Sequence, residues 1–108
     1  MTVAELTKKL DLTVFHDSGA DREVTGGYVG DLLSWVMGRA EPGQAWLTIM
    51  SNQNVAAVAA LSDVSCVILT EGVQPDEELL KKARTQGIDL LGTSVSSFAA
   101  AAALSQVL

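Results

Sequence analysis

The sequence predicts an α/β fold, a mainly parallel sheet flanked by helices in one compact domain. Two short, near-continuous apolar runs, Trp46 to Met50 and Cys66 to Leu69, suit strands buried on both faces. Helix signatures follow each of them, and the alternation of strand and helix implies right-handed crossovers between parallel neighbours.

Thr2 and Glu5 form a capping box, Val3, Leu6 and Leu10 recur at helical spacing, and Lys8 and Lys9 lie near the end, so the first helix is read as Thr2 to Leu10. Thr13 to His16 reads as a short strand. Arg22 to Val24 reads as an extended approach to a strand-to-helix turn at Thr25-Gly26-Gly27. A helix from about Tyr28 to Met37 is expected next, because Val29, Leu32, Leu33 and Val36 fall at i, i+3, i+4 and i+7, and Gly38 with Pro42-Gly43 ends it. Between the two apolar strands, Asn54 to Leu61 is alanine-rich and helical.

The clearest helix follows Gly72. Pro75 precedes Asp76, Glu77 and Glu78 in its first turn, Lys81, Lys82 and Arg84 occupy its last turns, and Gly87 closes it. Ile88 to Leu91 is the last strand and Ser96 to about Val107 the last helix. Leu47 to Leu61 and Leu90 to Leu104 share an order of apolar strand, serine-containing turn and alanine-rich helix. The same local solution is used twice.

Composition narrows the function classes. A chain of 108 residues, 48% hydrophobic and 19% charged, is far from the composition of disorder. It is long enough for one core, which removes roughly 60–70% of the unfolded chain's surface from water. The net charge of −6 disfavours nucleic acid and anionic membrane surfaces as partners. No signal peptide is read at the amino end, and the longest apolar runs, Val55 to Leu61 and Phe98 to Leu104, fall far short of the ~20 residues that span a bilayer. One cysteine forms neither an intrachain disulfide nor a cysteine zinc cluster, and a reducing cytoplasm is the expected location.

The segment Asp21-Arg22-Glu23-Val24-Thr25-Gly26-Gly27 matches the pattern D-R-x-x-T-G-G in full, and Tyr28-Val29-Gly30-Asp31-Leu32-Leu33-Ser34 continues the likeness. Through these residues the chain resembles the DRTGG domain family over nearly its whole length, residues 1–108 forming a single domain of that kind. The resemblance implies an α/β domain similar to the N-terminal domain of HPr kinase/phosphorylase and to accessory domains of phosphotransacetylases and CBS-regulated pyrophosphatases. It further implies a regulatory or assembly role, with catalysis housed elsewhere. No G-x-x-x-x-G-K-[ST] loop is present for a nucleoside triphosphate.

Two readings of the motif compete. As an anion cradle, Gly26 and Gly27 let a phosphate approach a helix N-terminus that Thr25 opens. As a structural turn, Thr25 caps the helix while Asp21 and Arg22 pin the approach. The structural turn is favoured, because Asp31 would stand in the first turn, where a phosphate wants no carboxylate. A second candidate is a polar cleft beyond the carboxyl ends of the strands, where Ser51, Asn52, Thr93 and Ser94 join Thr25, Gly26 and Gly27. Ser, Thr and Asn are also the ordinary helix caps.

No catalytic constellation emerges. Neighbours in His16-Asp17-Ser18 point to opposite faces of an extended chain, Cys66 sits in an apolar strand, and His16 alone holds no metal. The expectation is therefore a non-catalytic module without cofactor or metal. Its expected partner is a second copy or a larger metabolic enzyme, and the alternative is a sensor of an adenine nucleotide or other anion. Tyr28 and Trp35, seven residues apart on the expected helix, are the expected interface.

Overall fold

The computed structural model describes residues 1–108, and the elements are α1 (Val3–Lys9), β1 (Thr13–His16), β2 (Gly26–Val29), α2 (Leu33–Arg39), β3 (Gln44–Thr48), α3 (Asn54–Ser62), β4 (Cys66–Leu69), α4 (Glu77–Gln86), β5 (Leu90–Gly92) and α5 (Ser97–Val107). The five strands form one sheet in the order β1-β5-β4-β3-β2, with β2, β3, β4 and β5 parallel and β1 antiparallel at one edge.

Side-chain alternation along the central strands divides the core in two. Trp46, Val67, Leu69 and Leu90 face α2, α3 and α4, where they meet Val36, Val55, Val58, Leu79 and Ala83. Ala45, Leu47, Cys66, Ile68 and Leu91 face α1 and α5, where they meet Val3, Leu6, Ala100 and Leu104. Strands β3 and β4 are thus covered on both sides, which is why their sequences read as unbroken apolar runs.

Local chemistry sets the helix ends. The capping box forms as expected: Thr2 Oγ1 accepts from the Glu5 amide and Glu5 Oε1 accepts from the Thr2 amide. Gly87 closes α4 in the left-handed region at φ 67°, and Ser96 caps α5 by accepting from the Ala99 amide. These three helices lie within a residue or two of their expected bounds.

The segment from 25 to 32 departs from expectation. Gly26–Val29 is a strand paired in parallel with Gln44–Leu47, where a turn and the start of a helix were expected. Burial overrides propensity here. A Cβ on Gly27 would stand 2.6 Å from Leu104 Cδ2, so the glycine lets α5 lie close on the sheet. The helix starts only at Leu33, after Gly30 and Asp31 have bonded to β3: the Gly30 carbonyl accepts from the Trp46 indole at 2.8 Å, and Asp31 Oδ1 accepts from Thr48 Oγ1 and the Ile49 amide. Val29 and Leu32 are therefore about half exposed instead of forming a core stripe, and of the four periodic residues only Val36 is fully buried.

Candidate functional site

The D-R-x-x-T-G-G segment is a structural brace, and its Asp21 and Arg22 side chains are bonded within the fold. Asp21 Oδ1 accepts from the Ala4 amide at 2.9 Å, satisfying one of the unpaired donors in the first turn of α1. Arg22 donates from Nη1 to the Val64 carbonyl at 2.9 Å and from Nη2 to the Asp63 carbonyl at 3.1 Å, while Nη2 also lies 3.1 Å from Asp63 Oδ1. Asp63 is the left-handed cap of α3, so this guanidinium closes a helix C-terminus, where a cation is favoured. The Thr25 amide donates to the Gly43 carbonyl, and Gly43, at φ 86°, leaves room for the Thr25 hydroxyl that a Cβ would fill.

Thr25 consequently caps no helix. It precedes β2, with Gly26 beside Gln44 at the amino end of the parallel sheet. Ser51 and Asn52 follow the carboxyl end of β3, and Thr93 and Ser94 follow that of β5. Parallel pairing thus holds Thr25, Gly26 and Gly27 away from the other four, and the single cleft expected from the sequence is not formed. The remaining four are also divided. Thr93 and Ser94 line a cavity of about 280 Å³ with Asp11, Thr13, Phe15 and Gln74, and neither Ser51 nor Asn52 reaches it.

Of the four helix N-termini at the carboxyl end of the sheet, those of α3 and α5 are bonded by side chains from within, and those of α2 and α4 carry no side-chain cap. Asn52 Oδ1 accepts from the Asn54 amide at α3, and Ser51 Oγ donates to Asp76 Oδ1 before α4. Glu71 Oε2 accepts from the Ser97 amide at α5. Glu77 and Glu78 stand in the first turn of α4. An anion approaching this end meets carboxylates at two of the four helices, α4 and α5, the reverse of a phosphate cradle there.

His16, Asp17 and Ser18 are likewise committed to the fold. The His16 ring bonds through Nδ1 to the Ile88 carbonyl, Asp17 Oδ1 accepts from the Gly19 amide, and the Ser18 amide donates to Asp89 Oδ1 at 2.6 Å. Burial pushes the Cys66 thiol up to about 12, with the Asp89 carboxylate adding to the effect and Arg22 opposing it. The thiol is therefore protonated and enclosed. No cluster of His, Cys, Asp and Glu has the arrangement of a metal site.

Tyr28 and Trp35 do not share a helix flank. Tyr28 lies in β2 and packs into the core cluster beneath α2, α3 and α4, whereas Trp35 is on α2, 56% exposed, with the Arg39 guanidinium 3.6 Å from its ring centroid. The expected pairing fails because the helix starts five residues late. Sequence reasoning also missed Phe98, the most exposed large apolar side chain at 84%. Its signal was present in α5, Ser97–Val107, which contains no charged residue.

A family model described as the DRTGG domain matches residues 5–107. The chain belongs to the DRTGG domain family. No curated protein matches the sequence. Among solved structures, the CBS and DRTGG domains of the regulatory region of Clostridium perfringens pyrophosphatase, complexed with the activator diadenosine tetraphosphate, share this fold with a TM-score of 0.81 at 17% identity. The superposition covers 99% of this DRTGG chain and 47% of the pyrophosphatase chain, so it spans about half the length of that relative. No helix of the DRTGG domain described here is long and apolar enough to cross a membrane.

Proposed function

We propose that this DRTGG domain is a non-catalytic regulatory module that works by association, with itself or with a larger metabolic enzyme, in the cytoplasm. One observation carries the reading. The motif's Asp21 and Arg22 side chains are consumed in bracing α1 and the end of α3, while large apolar side chains, the aromatics Phe98 and Trp35 among them, remain at the surface. Aromatic side chains at a surface are what interface hot spots favour. Native mass spectrometry of the purified protein tests it by reporting oligomer mass and retained ligand together. A monomer at every concentration, or robust turnover of ATP or pyrophosphate abolished by one substitution, would count against the module.

A second reading, a sensor of an adenine nucleotide, is favoured by the ligand named for the pyrophosphatase regulatory region. A ligand that binds only the folded state raises the melting temperature as RT ln(1 + [L]/Kd). Millimolar diadenosine tetraphosphate should then shift the melting curve, and Ser94→Ala or Thr25→Ala should identify which end of the sheet holds it. An unmoved curve removes this reading and leaves the first.

A further inference from the structure

Strand β1 runs antiparallel to β5 and sets Thr13 opposite Gly92, so α1 ends at the carboxyl end of the parallel strands, the same end at which α5 begins. Asp11, left-handed at φ 52°, and the Leu12 amide, which donates to the Thr7 carbonyl, turn the chain sharply from α1 into β1. Between the two helices, over the carboxyl ends of β4 and β5, lies a cavity of about 300 Å³. Open parallel sheets hold their ligands at this end.

The lining is aliphatic. Leu10, Leu12, Ile68 and Val95 wall the space, and Ala99 and Ala103 on α5 are too short to fill it. Neither an aromatic ring nor a carboxylate borders it. Val95 is 46% exposed, an aliphatic side chain that the fold itself leaves uncovered. A single charged residue, Lys9, completes the rim. Lys9 forms no ion pair, and Glu5, one turn earlier where a helical partner would stand, is committed to the Thr2 amide. Thr93 adds a hydroxyl, which accepts from the Val95 amide at 3.4 Å and keeps its own proton to donate.

We propose that this cavity binds a short- to medium-chain aliphatic monocarboxylate, its alkyl chain between α1 and α5 and its carboxylate on Lys9. The lining selects that class. An alkyl chain suits walls of leucine, isoleucine, valine and alanine, and one free ammonium matches one carboxylate. A polyphosphate would need several cations where the lining offers one, and a flat base would find no ring to stack on. The site stands apart from the association reading above, and the failure of either leaves the other intact.

Isothermal titration calorimetry with butanoate, hexanoate and octanoate tests it. Octanoate should bind at one saturable site with a Kd below about 1 mM, and affinity should rise about fourfold for each methylene buried. Lys9→Gln should weaken octanoate about tenfold while leaving the neutral octan-1-ol unchanged. Ala103→Phe, which fills the cavity from a half-buried position, should abolish both while keeping the parent's circular dichroism. Methyl NMR of the parent, which needs no variant, should show octanoate shifts gathered on Leu10, Leu12, Ile68 and Val95. No saturable heat up to about 10 mM octanoate, or shifts gathered elsewhere, overturns the site. Octanoate affinity unaltered by Lys9→Gln overturns the carboxylate assignment and with it the proposal. Methyl shifts that follow protein concentration instead of octanoate give the cavity to a second copy of the chain and overturn it as well.

Discussion

Arg22 reaches across 41 residues of sequence to Asp63, donating to its carbonyl and pairing with its carboxylate at 3.1 Å. The ion pair is largely exposed and contributes little by itself. The hydrogen bonds to the Asp63 and Val64 carbonyls matter more, because they tie the end of α3 to the motif, the Asp63 carbonyl also accepting from the Gly43 amide at 3.1 Å.

Replacing Arg22 by alanine should therefore destabilise the domain by about 1–3 kcal/mol in urea unfolding. Arg22→Lys should recover only part of this, since an ammonium does not reproduce the two-pronged geometry of the guanidinium. Asp63→Asn, which keeps the backbone carbonyl, should cost less than Arg22→Ala. If Asp63→Asn costs as much, the carboxylate rather than the helix end is the important partner.

Much of the fold was legible because local and tertiary preferences agree. Thr13–His16 has the bounds that β propensity predicts, Cys66–Leu69 those that propensity and burial both predict, and α4 carries its acids, bases and closing glycine where the helix dipole wants them. The reading failed at Gly26-Gly27-Tyr28-Val29 because the two preferences conflict there. Glycine pairs mark turns in isolation, and only the approach of α5, 77 residues away at Leu104, makes a side-chain-free strand useful. Once that strand was read as a turn, the expected cap at Thr25, the joint cleft with Ser51, Asn52, Thr93 and Ser94, and the Tyr28–Trp35 flank all followed wrongly.

Glu5 provides a pH-dependent contribution. Its carboxylate accepts from the Thr2 amide, and this hydrogen bond holds its pKa below the ordinary 4.5. A group whose folded pKa is depressed stabilises the fold above its unfolded value and loses that contribution as pH falls through the folded one. Comparing the parent with Glu5→Gln from pH 7 down to pH 3, the parent should be the more stable at neutral pH and the gap should narrow in the acid range. A gap independent of pH would show that the side chain's packing, not its charge, supports the cap.

Cys66 provides the opposite sign. Its folded pKa of about 12 exceeds the ordinary 9.0, so its contribution is complete below pH 9 and is lost as pH rises toward 12. Each pH unit in that window removes about 1.4 kcal/mol from a fully buried group. A Cys66→Val variant should lose less stability than the parent between pH 9 and pH 11. Native protein should also react with a thiol reagent only as fast as the fold opens, and promptly in denaturant. Rapid labelling of the native state at neutral pH would contradict the burial of this strand.

Gly27 and Leu104 define the contact that distinguishes a strand at 26–29 from a turn. A Cβ at Gly27 would stand 2.6 Å from Cδ2 of the buried Leu104, so the leucine end or α5 itself must shift. Gly27→Val should therefore cost about 1–3 kcal/mol, the usual penalty of overpacking. Leu104→Ala alone should cost about 2–5 kcal/mol by leaving a cavity. Combined, the two should cost less than their sum, because the valine fills part of the space that the leucine vacates, with a coupling of about 0.5–3 kcal/mol in a double-mutant cycle. Additive costs within about 0.5 kcal/mol would mean that the side chains do not meet, as expected if Thr25-Gly26-Gly27 formed an exposed turn. Reciprocal relief would place α5 against the edge strand β2.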